Sequence, residues 1–176
     1  NKWLERPLVD EWLFAFRSLL EKSFHLQVAP FKFSYLPTYD IDIAWSYKHK
    51  GGLRNAGGLV KNLLSLQPAI AAERLQVLSG VHTDPFDSFS FLKNLHTLHH
   101  YKPIYFILAA LSTGPFDKNI HPMHPAMQDL IKNLAEEGDI GMHPSYETGN
   151  SAERFRNEKH VLQDVSGKSI HISRQH

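Results

Sequence analysis

Apolar and polar positions alternate along this chain in two periods, one suited to helices and one to strands. Pro7 to Ser23 carries Val9, Trp12, Leu13, Phe16, Leu19 and Leu20 at helical spacing, with Pro7 in the first turn, and predicts a packing helix. Ser34 to Trp45 is a β-favouring apolar run interrupted by Asp40 and Asp42. Ser46 to Gly58 holds four glycines with Lys48, His49, Lys50 and Arg54, and reads as a basic loop. Its glycines and lysines lack the order of a phosphate-cradling loop, so a solvated loop is expected. Helices follow over Gly58 to Leu66 and Ala69 to Leu78, separated by Pro68. After the turn at Thr83 to Asp87, Asp87 is placed to cap a helix carrying Phe91, Leu92, Leu95 and Leu98.

The second half has stronger signals. Pro103 to Leu111 is almost continuously apolar, as in a strand buried on both faces. Pro125 opens a helix with Met127, Leu130, Ile131 and Leu134 on one side, and Gly138 ends it. A short strand, Asp139 to His143, comes next. Asn150 with Glu153 suggests a capping box for a helix through Phe155, Leu162 and Val165 that stops at Gly167, and Lys168 to Ser173 reads as a last strand. Repeated β-α units imply parallel strands, hence an α/β fold, either a doubly wound sheet or a (β/α) barrel. Four strands are too few to close a barrel of about eight. Residues 1–33 are therefore expected to be a helical lead-in. Residues 34–176 are expected to be the front part of a larger, partial or distorted (β/α) barrel.

Composition narrows the function classes. The 176 residues are 42% hydrophobic and 21% charged with a net charge of +1, so bulk electrostatics give no case for nucleic acid or a membrane surface. No apolar run is long enough to span a bilayer. Cysteine is absent, which removes disulfides, thiolate nucleophiles and Cys-ligated zinc. The first residues, Asn1 to Pro7, do not read as a signal peptide. The location is left open, with a lean to cytoplasm or cell envelope, and the oligomeric state is open too. Twelve histidines leave imidazole and carboxylate as the metal-binding chemistry.

In an extended strand Asp40 and Asp42 would point to one face, side by side. Two like charges so placed need a cation or an Arg beside them, unless they sit in water at a frayed strand end. Sites in parallel α/β folds gather at the carboxyl ends of strands. That rule places Asp40, Asp42, His143 and Arg174 around one mouth, with the loop 112–119 on the same rim. His96, His99 and His100 share a helix face but are expected in an exposed last turn, where cations favour the helix dipole. His121 and His124 flank the start of a helix and are given no ligand role.

These motifs, in this order, resemble the polysaccharide deacetylase family of metal-dependent carbohydrate esterases, in a divergent bacterial branch. Thr38-Tyr39-Asp40-Ile41-Asp42 is similar to the family's first motif, Thr-Phe-Asp-Asp-Gly, in an Asp-x-Asp form. Ile104 to Ile107 is similar to its Ala-Thr-Phe-Phe strand, and Gly138 to Ser145 to its second motif. Ser173-Arg174-Gln175-His176 is similar to the start of its arginine-bearing third motif. The resemblance implies Asp40 as general base, Arg174 holding Asp40 ionised, and Asp42 and His143 as ligands of a divalent metal, usually zinc. Tyr146, beside the second motif, is the candidate substrate contact. The substrate would be an N-acetylated amino-sugar polymer or glycan, hydrolysed to acetate and a free amine. Where the family has a further His or Asp, this chain has Glu147, a candidate third ligand. The family's late motifs have no counterpart here, so this stretch by itself is expected to be inactive. Glu147 also favours the competing reading, a non-catalytic barrel domain that binds carbohydrate or serves as a scaffold. A metal-free glycosidase is a third reading, but its two carboxylates should flank a sugar bond, which neighbours on one strand do poorly.

Overall fold

The structure, a computed structural model, describes residues 2–29, 32–112 and 114–175. The chain divides into two compact units, Asn1–Ser34 and Tyr35–His176. In the first, a 3-10 turn at Lys2–Glu5 precedes helix α1, Leu8–Phe24, which stops where His25 takes a left-handed conformation. Arg17 ties the following segment back onto α1 by donating to Glu21 and to the carbonyl of Val28. The apolar stripe predicted for α1 is present, but none of its side chains is buried. Trp12, Leu13, Phe16 and Leu19 are each at least half exposed, so α1 is amphipathic without the burial expected of a packing helix.

The second unit is α/β. Strands β1 (Thr38–Ile41), β2 (Ile104–Leu108) and β3 (Asp139–His143) form a parallel sheet in the order β1-β2-β3. Five of the six described α-helices belong to this unit: α2 (Gly52–Leu64), α3 (Pro68–Leu78), α4 (Phe89–His99), α5 (Pro125–Glu137) and α6 (Ala152–Ser166). The core joins Ile41, Tyr105, Ile107, Ile140 and Met142, all on one sheet face, to Met127, Ile131 and Leu134 of α5 and Leu162 and Val165 of α6. Pattern and capping explain why α5 and α6 form here. Pro125 occupies the first turn of α5 while His124 Nδ1 accepts from Ala126 N, and Gly167, at φ 67°, supplies the left-handed residue that ends α6.

Several expectations need correction. The glycines at 52, 57 and 58 do not make a loop; they lie in α2, whose start is fixed by buried Asn55 donating to the carbonyls of Tyr47 and Gly51. Ser88, not Asp87, precedes α4, and Ser151, not Asn150, caps α6 by accepting from Arg154 N. The expected strand Lys168 to Ser173 is reduced to one parallel bridge beside β3. There Met142 N donates to Ile172 O, and Arg174 N donates to Met142 O. Ile170 is buried in the core while Ile172, two positions on, is 39% exposed, so the two do not share one packed face as they would in a strand. The described strands do not close into a barrel. No described helix is long and apolar enough to cross a membrane.

Gly141 is required by the sheet face opposite the core. A Cβ there would lie 2.5 Å from Cδ1 of Phe106, whose ring leans across β3 at that point. Gly141→Val is expected to force the ring aside and destabilise the domain by about 1–3 kcal/mol, the usual range for overpacking. A lowered urea midpoint with unchanged slope is the measurement.

Candidate active site

The register places Asp40, Phe106 and Gly141 in one row across the three strands, on the face away from the core. Arg174, held by its backbone next to β3, reaches back across this row. Its guanidinium lies 4.3 Å from the centre of the Phe106 ring and donates to Asp40 Oδ1 (3.1 Å) and Thr38 Oγ1 (2.9 Å). The flat guanidinium suits this role, since it can stack on a ring while its edge donors stay in use. The sequence thus brings Asp40 and Arg174 together from positions 134 residues apart.

Asp42 has a different partner. β1 ends at Ile41 because the buried side chain of Asn119 takes over the backbone there, donating to Ile41 O and accepting from Ala44 N. The expected side-by-side carboxylates are therefore divided. Asp40 faces Arg174, while Asp42 Oδ1 lies 3.3 Å from Nε2 of His143 at the end of β3. His143 is buried and Asp42 half exposed, so the pair sits at the boundary between core and water. Nδ1 of His143 is 3.2 Å from the carbonyl oxygen of Pro144. A carbonyl only accepts, so this contact assigns the proton to Nδ1. Nε2 then meets the carboxylate either as an imidazolium N–H or as a lone pair sharing a cation with it.

The loop after β3 is fastened from below. Glu158 of α6, 3% exposed, accepts from Ser145 N (3.1 Å) and Ser145 Oγ (2.5 Å). Burial pushes its pKa up, against the pull of those two bonds. Thr148 Oγ1 donates to Ser145 O, and both carboxylate oxygens of buried Asp117 accept from Tyr146 N. The Tyr146 ring stacks on Phe116 at 4.3 Å and lines a cavity of about 430 Å³ together with Asp42, His143 and Gln175. Glu147 is turned to Arg154, with which it forms an ion pair.

The donor atoms permit a test of metal binding. Zinc bonds of about 2.0–2.2 Å in tetrahedral geometry set two ligand atoms about 3.4 Å apart, close to the 3.3 Å between Asp42 and His143. A carbonyl accepting from the distal imidazole nitrogen is the usual companion of a histidine ligand. The pair therefore fits two positions of a zinc site. Among the described residues no third His, Asp or Glu completes a metal-holding group.

The remaining histidines differ from expectation in one case. His96 is not in an exposed turn; it is 4% exposed, with Nε2 2.8 Å from Tyr39 OH and Nδ1 3.4 Å from Tyr105 OH. Tyr105 in turn donates to Glu137, and burial is the first cause of its raised pKa. Sequence reasoning did not select Asp117, Asn119, Glu158 or Phe116. The first two and Phe116 lie in the 112–119 loop already placed on the rim, whereas Glu158 sits mid-helix with no local signal. Comparison of the chain with family models, with curated proteins and with solved structures gave no match.

Proposed function

We propose that the chain carries the metal-dependent deacetylase site of a polysaccharide-deacetylase-like hydrolase acting on N-acetyl groups of an amino-sugar glycan. The observation that carries this reading is the Asp42–His143 pair, with ligand spacing, a backbone-fixed imidazole and an adjoining cavity. The sheet is then an arc of a distorted (β/α) barrel, consistent with strands that lie side by side in chain order. Asp42 and His143 would hold the metal, zinc by the chemistry of the donors. A zinc ion held by Asp42 and His143 would supply Lewis-acid chemistry, lowering the pKa of a water and polarising the acetamide carbonyl. Asp40 takes the proton of the attacking water as general base. Arg174, seated on Phe106, orients that carboxylate. Tyr146 offers its ring to the sugar. Addition of water across the amide breaks the C–N bond and yields acetate and the free amine.

Glu147 supports the second reading, a carbohydrate-binding domain without catalysis, because Arg154 occupies the carboxylate that would be the third ligand. Calorimetric zinc titration of the 176-residue chain separates the two. The hydrolase reading expects one zinc per chain, with affinity falling at least about tenfold in Asp42→Ala and His143→Ala and unchanged in Glu147→Ala. A chain that takes up no zinc at micromolar concentration supports the binding domain instead.

A further inference from the structure

Phe116 and Tyr146 are large aromatic side chains, each 66% exposed, yet they are stacked on one another and the backbone of Tyr146 is held. Asp117, the neighbour of Phe116, is buried and accepts from Tyr146 N with both carboxylate oxygens, so the two rings hang from one anchored carboxylate. Glu158 fixes the preceding Ser145. Two cavities adjoin the pair, each of about 430 Å³ and within the range of small-molecule sites. One holds Asp42 and His143; the other holds Glu147, Ser151 and Arg154. Both are lined by Phe116 and Tyr146. Stacked rings cover each other's inner faces and leave one outer face each. An exposed outer face, negative at its centre, suits the C–H face of a pyranose, while charged and hydroxyl groups at its edge suit the sugar's hydroxyls.

We infer that the Phe116–Tyr146 stack divides two neighbouring sugar subsites, so that the ligand is a chain of at least two pyranose units and the second unit binds beside Glu147 and Arg154. This rests on the carbohydrate reading above and adds chain length as the determinant of recognition. Two linked units that bind adjoining subsites gain by effective concentration, since the second contact is intramolecular.

Calorimetry on the zinc-free chain with N-acetylglucosamine and its β-1,4-linked tetramer tests this. The tetramer is expected to bind at least about tenfold more tightly than the monomer. Phe116→Ala should collapse that ratio towards one, and Phe116→Trp should keep it. Circular dichroism confirms the fold of both variants. Equal affinities in the wild type, no saccharide binding, or a ratio that survives Phe116→Ala would overturn the two-subsite groove. If zinc binding fails while the ratio and its dependence on Phe116 hold, the groove stands and the hydrolase reading falls. If zinc binds with no chain-length preference, the groove falls alone.

Discussion

Asp84→Ala is expected to cost the domain about 3–5 kcal/mol, judged from the worth of charge-assisted hydrogen bonds and the penalty for unpaired buried donors. Asp84 is 2% exposed, and its carboxylate accepts from four backbone N–H groups, those of Ser46, Tyr47, Lys48 and Phe86. It is the joint between the segment leaving β1 and the turn before α4. Water can replace the bond at exposed Phe86, but Tyr47 is buried and its donor would be orphaned. Urea unfolding at neutral pH measures the loss. The pH dependence has a definite sign. Burial alone would raise the carboxyl pKa, and the four backbone donors outweigh it, so the folded value is depressed. A depressed acid contributes stability that is present above the unfolded value and lost as pH falls through the folded one. The wild type should therefore shed this increment below about pH 4, and Asp84→Ala should show a flatter acid limb. Parallel acid limbs would refute the assignment.

Local patterns made much of the domain legible, and distant partners account for what they missed. β2, α5 and β3 are readable because their apolar spacing is strong and Pro125 and Gly138 mark the boundaries between them. The 46–58 stretch misleads because glycine is weighed as a breaker, whereas the start of α2 is held by Asn55, a side chain whose use depends on the fold. His96 looks like a surface residue until Tyr39, 57 positions away, and Tyr105 close over it. Of the candidate site, Asp40, Asp42, His143 and Arg174 are visible as polar residues at strand ends. Their division into two pairs is not visible, because it depends on Asn119 ending β1 early. The site is thus legible at the level of which polar residues stand near the strand ends, and opaque at the level of which oxygen faces which nitrogen.

Glu158→Ala is the second large effect, expected at about 2–4 kcal/mol, because it leaves Ser145 N–H and Oγ buried without their acceptor. Glu158→Gln should be far milder, since one amide oxygen can accept from Ser145 N while the amide N–H donates to Oγ. Acidity gives a finer discrimination between the two variants and the wild type. Burial raises the carboxyl pKa; the Ser145 bonds lower it, the charge of Asp117 raises it further and that of Arg154 lowers it, and the net shift is upward. A raised acid contributes stability fully present below its unfolded value and lost as pH rises through the folded value. Wild-type stability should therefore include a decline that begins near about pH 4 and levels off once Glu158 is ionised. Glu158→Gln removes that decline, whereas Glu158→Ala removes it and lowers the whole curve. The consequence reaches the site, because Ser145 is the link between His143 and Tyr146. Loosening it should shrink the tetramer-to-monomer binding ratio in Glu158→Ala and spare it in Glu158→Gln. A Glu158→Ala variant as stable as the wild type would show that Ser145 finds water instead, and that Asp117 and Thr148 position the loop after β3 without Glu158.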